Sequence, residues 1–301
     1  MSRIFANHAC KIPFRLRWLL TLPLFLLIST AALAQDSVVT LTLPPTRVPI
    51  TGPSPVTESF IVSAPLVPAA ITSVTPPPVA VLILLPGGNG DIHLTPAGAG
   101  GTLDINSNNF LTRSRWLFAG HDFYVLTLDA ASDYLLTTDV LTGHQGDADH
   151  VSDVEAVIQY ARTTYPGLPV WLVGTSRGTA GAFVAASAGP PVGPDGLVFS
   201  SAINDVTSPP DPDSLLSASL SSITVPVLLV NDAGNTCTNT LPSGDSGVKK
   251  ALTGAPVVDI INIPAGGLLP LTDNCHALSD HGYFGRERIA VQKISNWIIA
   301  H

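Results

Sequence analysis

Uninterrupted apolar runs and amphipathic stretches alternate along the chain from residue 79 onward. The run 79–85 contains no polar side chain, which is typical of a strand buried on both faces of a parallel sheet. Similar runs predict further strands at 123–128, 169–173, 197–200, 225–230 and 257–263. Helical spacing between them predicts helices at 109–118, 150–163, 179–187 and 286–299. This alternation predicts a mostly parallel central sheet with helices on both faces.

The two longest predicted helices indicate which of their faces are buried. In 150–163, apolar side chains recur at helical spacing at Val151, Val154, Val157, Ile158 and Ala161. In 286–299, we expect Ile294 and Ile298 to face the core, on a helix that also carries Ile289, Lys293, Asn296 and Trp297.

Prolines punctuate the chain before residue 80. Short β-branched runs at 38–43, 60–62 and 71–74 alternate with them, a pattern of edge strands and extended crossings. Residues 86–108 are rich in Gly and Asn and predict a loop over the sheet edge. With 301 residues, 46% of them hydrophobic, the chain can bury one large core, so we expect a single domain over 35–301.

The N-terminus has the three parts of a secretory signal peptide. Three basic residues between positions 11 and 17 precede the apolar run 18–28, and Ala32-Leu33-Ala34 follows. We predict a signal peptide at 1–34, cleavage after Ala34, and a periplasmic or secreted product without stable membrane association. An uncleaved anchor is the alternative, although the apolar run is short for a bilayer span and contains Pro23.

Charge narrows the classes of partner. Four of the 14 Lys and Arg residues lie in 1–34, which contains no acidic residue, so 10 basic and 22 acidic residues remain, a net charge of −12. This excess repels phosphate backbones and anionic lipids, so we expect no nucleic-acid partner.

Cysteine usage agrees with export. Cys10 leaves with the signal peptide, and Cys237 and Cys275 remain as an even pair in an oxidising compartment. We therefore predict a disulfide between them, with two buried free thiols as the alternative.

The segment Gly174-Thr175-Ser176-Arg177-Gly178 fits the pattern G-x-S-x-G. It lies between the predicted strand 169–173 and the predicted helix 179–187, where a serine occupies a strained strand-to-helix turn at the carboxyl edge of the sheet. We predict that Ser176 is a catalytic nucleophile and that the chain has an α/β-hydrolase fold. The alternative is an ordinary Gly/Ser turn.

A serine at its normal pKa needs a general base, and in this fold the order along the chain is Ser, acid, His. The histidine follows the last strand and precedes the last helix, where the chain has His276 and His281. We favour His281, which is followed by Gly282. For the acid we favour Asp232, directly after the strand 225–230, over Asp205; either would hold the imidazole in its active tautomer.

An oxyanion hole needs two preorganised N–H donors. We assign one to Arg177, which follows the nucleophile, and the other to Gly88 in the Gly-rich loop after 79–85, with Asn89 as the alternative. A bridge between Cys237 and Cys275 would tie the acid-bearing loop to the histidine-bearing loop.

One polar cluster offers a rival chemistry. It comprises His144, Asp147, Asp149, His150 and Asp153, a set that could bind a divalent metal. We favour a simpler interpretation, in which Asp147 or Asp149 caps the following helix. We predict no metal and no cofactor.

Several segments together resemble a group of exported proteobacterial α/β-hydrolases, serine esterases in type. The most specific are Gly174-Thr175-Ser176-Arg177-Gly178-Thr179 and His281-Gly282-Tyr283-Phe284-Gly285. Others are Leu84-Leu85-Pro86-Gly87-Gly88, 109–115, and His150 with Asp153. The resemblance implies a hydrolase fold with Ser176 and His281 in the triad.

The chain departs from that group at the acid. The group places an Asp two residues before the cysteine, where this chain has Asn235. Asp232 would then take over, or Asn235 would orient the imidazole as a neutral group, or activity would be weakened, since an amide cannot offset the imidazolium charge.

The leading prediction is therefore a carboxylesterase that cleaves a small-molecule ester through an acyl-enzyme on Ser176. Lipase, thioesterase or peptidase activity is a variant of the same chemistry. The alternative from another class is a hydrolase-fold binding protein with weak or no turnover.

Overall fold

The structure is a computed structural model and describes residues 36–65, 77–94, 107–204, 211–266 and 273–301. The predicted signal peptide, the predicted strand at 71–74 and Asp205 lie outside these ranges.

Within the described residues, one sheet of eight strands forms the centre of the molecule. The strands are β1 (Asp36–Thr42), β2 (Thr57–Ser63), β3 (Ala80–Leu85), β4 (Phe123–Leu128), β5 (Val170–Thr175), β6 (Gly196–Ser200), β7 (Val227–Asp232) and β8 (Val258–Ile263). Their order is β1-β2-β4-β3-β5-β6-β7-β8. The pairs β1–β2 and β2–β4 are antiparallel and all others are parallel, which confirms the predicted mostly parallel sheet.

Helices cover both faces of the sheet, as predicted. They are α1 (Phe110–Ala119), α2 (Ala148–Thr164), α3 (Gly178–Ala186), α4 (Asp245–Ala251) and α5 (Glu287–Ala300). Alternate side chains of β3 enter two separate cores, one built with α2, α3 and α4 and the other with α1 and α5. All six residues of β3 are buried, because helices pack on both of its faces.

The predicted core faces of the helices are largely correct. Val154, Val157, Ile158 and Ala161 of α2 are buried, and so are Ile294, Trp297 and Ile298 of α5. Val151 is half-buried, and Ile289, which was not assigned to the core face, is exposed. The sequence pattern missed α4, whose seven residues bury only Asp245 and Val248 and so show no apolar period.

The strand predicted at 225–230 begins and ends two residues later than expected. Pro226 precedes it, and Asn231 and Asp232 continue the parallel ladder opposite Asn262 and Ile263 of β8. Asp232 is therefore the last residue of β7 rather than the first residue of the following loop. This shift matters for the position of the acid.

In the polar cluster His144, Asp147, Asp149, His150 and Asp153, hydrogen bonds and ion pairs account for several of the side chains. Asp147 is the N-cap residue of α2 but makes no capping bond with its side chain, because its carboxylate lies 2.7 Å from His144 Nδ1. Asp153 is fully buried and accepts from Arg47 Nε at 2.8 Å, so it holds the segment after β1 against α2. Among the described residues no group of three His, Cys, Asp or Glu side chains is placed to hold a metal ion. In the same part of the chain no helix is long and apolar enough to cross a bilayer.

Candidate active site

Ser176 lies between the end of β5 and the start of α3, in a left-handed conformation with φ of 52°. Such a φ strains an L-residue by roughly 1–2 kcal/mol, and neighbouring bonds hold it. The Ser176 N–H donates to Ser200 O at 3.0 Å, and its carbonyl accepts from Thr179 N and Thr179 Oγ1. A Cβ added at Gly178 would lie 2.2 Å from Leu85 O, so the turn needs glycine there. The predicted strand-to-helix turn that carries the serine, here called the elbow, is therefore present at the predicted place.

The elbow opens into a cavity of about 340 Å³ at the carboxyl edge of the sheet. Its lining includes nearly every residue proposed for the site from the sequence, namely Gly88, Asn89, Ser176, Arg177, Cys237, Cys275, His276 and His281. The other lining side chains are mostly polar and include Asp91, Asn108, Asn109, Asn239 and Asp273. A cavity with this lining fits a small, polar substrate better than a long alkyl chain.

The glycine-rich loop after β3 packs directly on the elbow. A Cβ added at Gly87 would meet Thr175 O at 2.6 Å and Ser176 Cβ at 2.8 Å. The next residue, Gly88, has φ of 71° and open space in front of it. The backbone of this loop can thus approach a group bound at Ser176, as an oxyanion donor must.

The side chain of Arg177 turns to a pair of buried carboxylates. Arg177 Nη2 donates to Asp211 Oδ2 at 2.8 Å, and Arg177 Nε lies 3.1 Å from Asp213 Oδ2. Asn239 Nδ2 donates to the same oxygen of Asp211 at 3.0 Å. These bonds fix the residue whose backbone N–H is the expected oxyanion donor. Sequence reasoning missed them, because Asp211 and Asp213 precede no recognisable strand or helix.

His281 lies on the short turn between β8 and α5 and is buried, with its side chain on the cavity. The turn is tied to the sheet by Tyr283, whose hydroxyl donates to Val230 O at 2.8 Å, accepts from Ser200 Oγ at 3.1 Å and lies 3.2 Å from Ser201 Oγ. Ser201 Oγ also donates to His281 O at 2.9 Å. Burial lowers the pKa of His281 to about 4, so its imidazole is neutral at pH 7.

His276, the alternative base, lines the same cavity but is exposed. Its Nδ1 accepts from Leu278 N at 3.0 Å, so this histidine caps its own turn. The structure therefore brings both histidines to the cavity, and only His281 is buried.

His281 Nδ1 has a partner that the sequence did not predict. His281 Nδ1 lies 2.9 Å from the hydroxyl of Thr240, a fully buried residue in the loop after β7. Asn235 Nδ2 lies 3.1 Å from the same hydroxyl. No sequence pattern marks a threonine in a loop as the partner of a histidine, so the sequence did not predict this contact.

Asp232, the predicted acid, is fully buried at the end of β7. One carboxylate oxygen accepts from Gly234 N at 2.8 Å, and the other has no hydrogen-bond partner within the described part of the chain. Burial raises the pKa of Asp232 to about 6. Its assignment as the acid stays a prediction, while the His281 Nδ1 bond that the structure shows goes to Thr240.

The predicted disulfide between Cys237 and Cys275 is confirmed. The two cysteines are 38 positions apart and both line the cavity. The bridge thus joins the loop that carries Thr240 to the segment that leads to His281.

Comparison with known proteins gives one family model and several solved structures that resemble this chain. A family model described as "Serine aminopeptidase, S33" matches residues 137–280, which include Ser176 and end directly before His281. No sequence of a curated protein matches the chain.

Solved structures show a closer likeness in the fold than in the sequence. An α/β serine hydrolase without a lid from Xanthomonas campestris is 16% identical, with a TM-score of 0.51 over 86% of this chain and 95% of that one. This chain has the α/β-hydrolase fold. A dienelactone hydrolase from Anabaena variabilis is 14% identical, with a TM-score of 0.53 over 89% of this chain and 98% of its own. An esterase from Pyrococcus furiosus is 13% identical, with a TM-score of 0.53 over 88% of this chain and 92% of that one.

Proposed function

We propose that this α/β-hydrolase-fold protein is a serine hydrolase that cleaves small carboxylic esters. The observation that carries the proposal is the strained elbow: Ser176 has φ of 52° and lines one cavity with the buried His281 and the Gly87-Gly88 loop. The match to a serine aminopeptidase model and the likeness to esterases support a hydrolase. The small cavity and its mostly polar lining favour short acyl groups.

In the proposed reaction, Ser176 Oγ attacks the carbonyl carbon and its proton passes to His281 Nε2. The backbone N–H groups of Arg177 and Gly88 stabilise the negative oxygen that forms. The intermediate expels the alcohol, which takes the proton from His281, and leaves an acyl group on Ser176. Water then attacks the acyl-enzyme, with His281 again as base, and releases the acid and the free serine.

A fluorophosphonate probe tests the nucleophile. We expect labelling of the wild type and none of Ser176→Ala, with Ser187→Ala, directly after α3, as the matched control that still labels. Equal labelling of the wild type and Ser176→Ala contradicts the proposal. Rates for p-nitrophenyl esters of increasing chain length then define the acyl preference, which we expect to fall beyond short chains.

A second candidate function is a hydrolase-fold binding protein without turnover. It is favoured by one observation, namely that the partner of His281 Nδ1 is a hydroxyl and not a carboxylate. This candidate predicts thermal stabilisation by a ligand but no hydrolysis of any short p-nitrophenyl ester. Turnover that depends on Ser176 eliminates it.

The place of action belongs to the same proposal. We propose export to the periplasm or beyond, supported by the disulfide and by the signal-peptide pattern of 1–34. Mass spectrometry of the protein from its native host tests this, since export with cleavage gives an N-terminus at Gln35.

A further inference from the structure

We infer that Thr240 is the residue that orients His281, in the place where a triad normally has its acid. This inference rests on the proposed function and adds to it a neutral positioning residue. It starts from the hydrogen bond of 2.9 Å between Thr240 Oγ1 and His281 Nδ1. Both residues are buried, so water does not compete for this bond.

The chemistry explains why this bond matters. For His281 to accept the proton of Ser176, Nε2 must be free, so the ring proton must be on Nδ1. An Nδ1–H needs an acceptor, and the hydroxyl oxygen of Thr240 supplies one. A threonine hydroxyl holds the ring and its tautomer as a carboxylate does, but it cannot offset the charge of the imidazolium.

A chain of amides stands behind Thr240 and ends at a buried carboxylate. Asn235 Nδ2 lies 3.1 Å from Thr240 Oγ1 and 2.9 Å from Asn231 Oδ1. Asn231 Nδ2 in turn lies 3.0 Å from Thr240 O and 3.3 Å from Asp245 Oδ2. The other oxygen of Asp245 accepts from Asn204 Nδ2 at 3.0 Å. All of these residues are buried.

The carboxylate of Asp245 fixes which groups donate and which accept along this row of hydrogen-bonded side chains. An ionised Asp245 only accepts, so Asn231 must turn its NH2 group toward Asp245 and its oxygen toward Asn235. Asn235 then turns its own NH2 group toward Asn231 Oδ1, Thr240 O and Thr240 Oγ1, at 2.9, 2.9 and 3.1 Å. These contacts hold Thr240 in place, and in the Nδ1–H tautomer of His281 its hydroxyl oxygen is the acceptor. Asn235 thus acts through Thr240.

Asp232 has a different environment. It closes a turn through Gly234 N, and its second oxygen has no hydrogen-bond partner among the described residues. The structure thus distinguishes two candidates, Thr240 in the loop after β7, which contacts the imidazole, and Asp232 at the end of β7, for which no such contact is found among the described residues.

The test is Thr240→Val, which keeps the shape and removes the hydroxyl. We expect kcat to fall about 10- to 100-fold with KM within about twofold, because the ring loses its orientation but the cavity keeps its lining. Thr240→Ser restores the hydroxyl and is expected to stay within about threefold of the wild type. Thr236→Val, at an exposed position on the same loop, is the matched control for the substitution.

A spectroscopic readout separates orientation from general damage. Nitrogen NMR of labelled imidazole at pH 7 reports which ring nitrogen carries the proton. We expect the Nδ1–H form in the wild type and a larger share of Nε2–H in Thr240→Val, with no change in Thr236→Val. Because it needs no substrate, this measurement tests the inference even if the protein has no turnover, and fluorophosphonate labelling of Ser176 reports separately on the proposed function.

Two results overturn the inference. The first is a Thr240→Val protein with wild-type kcat and tautomer. The second is an Asp232→Asn protein that melts like the wild type but loses turnover and the Nδ1–H form while Thr240→Val retains both. In the second case Asp232 is the acid.

Discussion

His281 combines deep burial with a neutral partner, and both affect its proton affinity. Burial disfavours the imidazolium and lowers the pKa to about 4. Because the pKa is lowered, the neutral, base-competent form exists above about pH 4 and is lost as the pH falls through that value. A weak base of this kind accepts the serine proton less readily than one with a pKa near 7.

The first prediction concerns this titration. We expect kcat/KM of the wild type to fall with decreasing pH near pH 4 rather than near the ordinary value of about 6.5. Asn235→Asp places a carboxylate behind Thr240, so we expect the acid limb to move upward by about one unit or more. Asn296→Asp, an exposed change on α5, controls for net charge. An unchanged limb in Asn235→Asp contradicts the prediction.

The second prediction concerns Gly87. An added Cβ there meets backbone at 2.6 Å, so either the loop or the elbow must move. We expect Gly87→Ala to lose about 1–3 kcal/mol of the free energy of unfolding and most of kcat. In Gly146→Ala the added Cβ meets only Val184 at 3.6 Å, so this control is expected to retain activity. Urea unfolding and ester hydrolysis measure both effects, and equal behaviour of the two variants argues against a tight contact.

At the scale of elements, the site is held by connections between strands that are distant in the chain. The turn after β8 is tied to the ends of β6 and β7 through the hydroxyl of Tyr283. From the other side, Arg113 of α1 donates to Gly282 O and pairs with Glu287 of α5 at 3.0 Å. These contacts keep His281 in place while the rest of its segment is loop.

The third prediction follows from that attachment. Tyr283→Phe removes one buried hydroxyl that bonds to Ser200 Oγ and Val230 O, so we expect a loss of about 1–3 kcal/mol in the free energy of unfolding. We also expect a lower kcat with little change in KM, because the turn that carries His281 loses its attachment to the sheet two residues after the histidine. Tyr124→Phe, on β4, is the matched loss of a hydroxyl away from the site. Equal kcat in both variants means that the attachment does not position His281.

At the scale of the molecule, the disulfide joins two loops that share the cavity wall. It closes a segment of 38 positions, for which chain-entropy arguments give about 2–4 kcal/mol. Its removal also frees the loop that carries Thr240 relative to the one that carries His281.

The fourth prediction is that reduction lowers stability and activity together. We expect wild-type protein in a strong thiol reductant to lose about 2–4 kcal/mol in the free energy of unfolding and to lose kcat. A Cys237→Ala/Cys275→Ala double variant is expected to show the same losses without reductant and no further change with it. Full activity after reduction confirmed by mass contradicts the prediction.

Much of the fold was readable because its signals are local. The strand at Phe123–Leu128 was predicted to the residue, and the end of β5, Ser176 and the start of α3 follow from one apolar run and one glycine pattern. The short helix α4 and the last residues of β7 were not predicted. In α4 too few positions are buried to show an apolar period. The last two residues of β7, Asn231 and Asp232, are polar, so a prediction based on the apolar run stops before them.

The sequence by itself determined the α/β architecture, the position of Ser176 between a strand and a helix, the two cysteines able to pair, and two candidate histidines, His276 and His281, before the last helix. Each of these depends on residues that are close in the chain or unique in type. Only the tertiary structure decided what lies behind His281. Asp232 ends β7, and Asn235 and Thr240 follow it in the next loop. Which of them reaches the imidazole depends on distances of a few ångströms, set by how that loop folds against β7 and α4. Hydrogen bonds form at about 3 Å, and the order of residues along a chain does not specify positions to that precision.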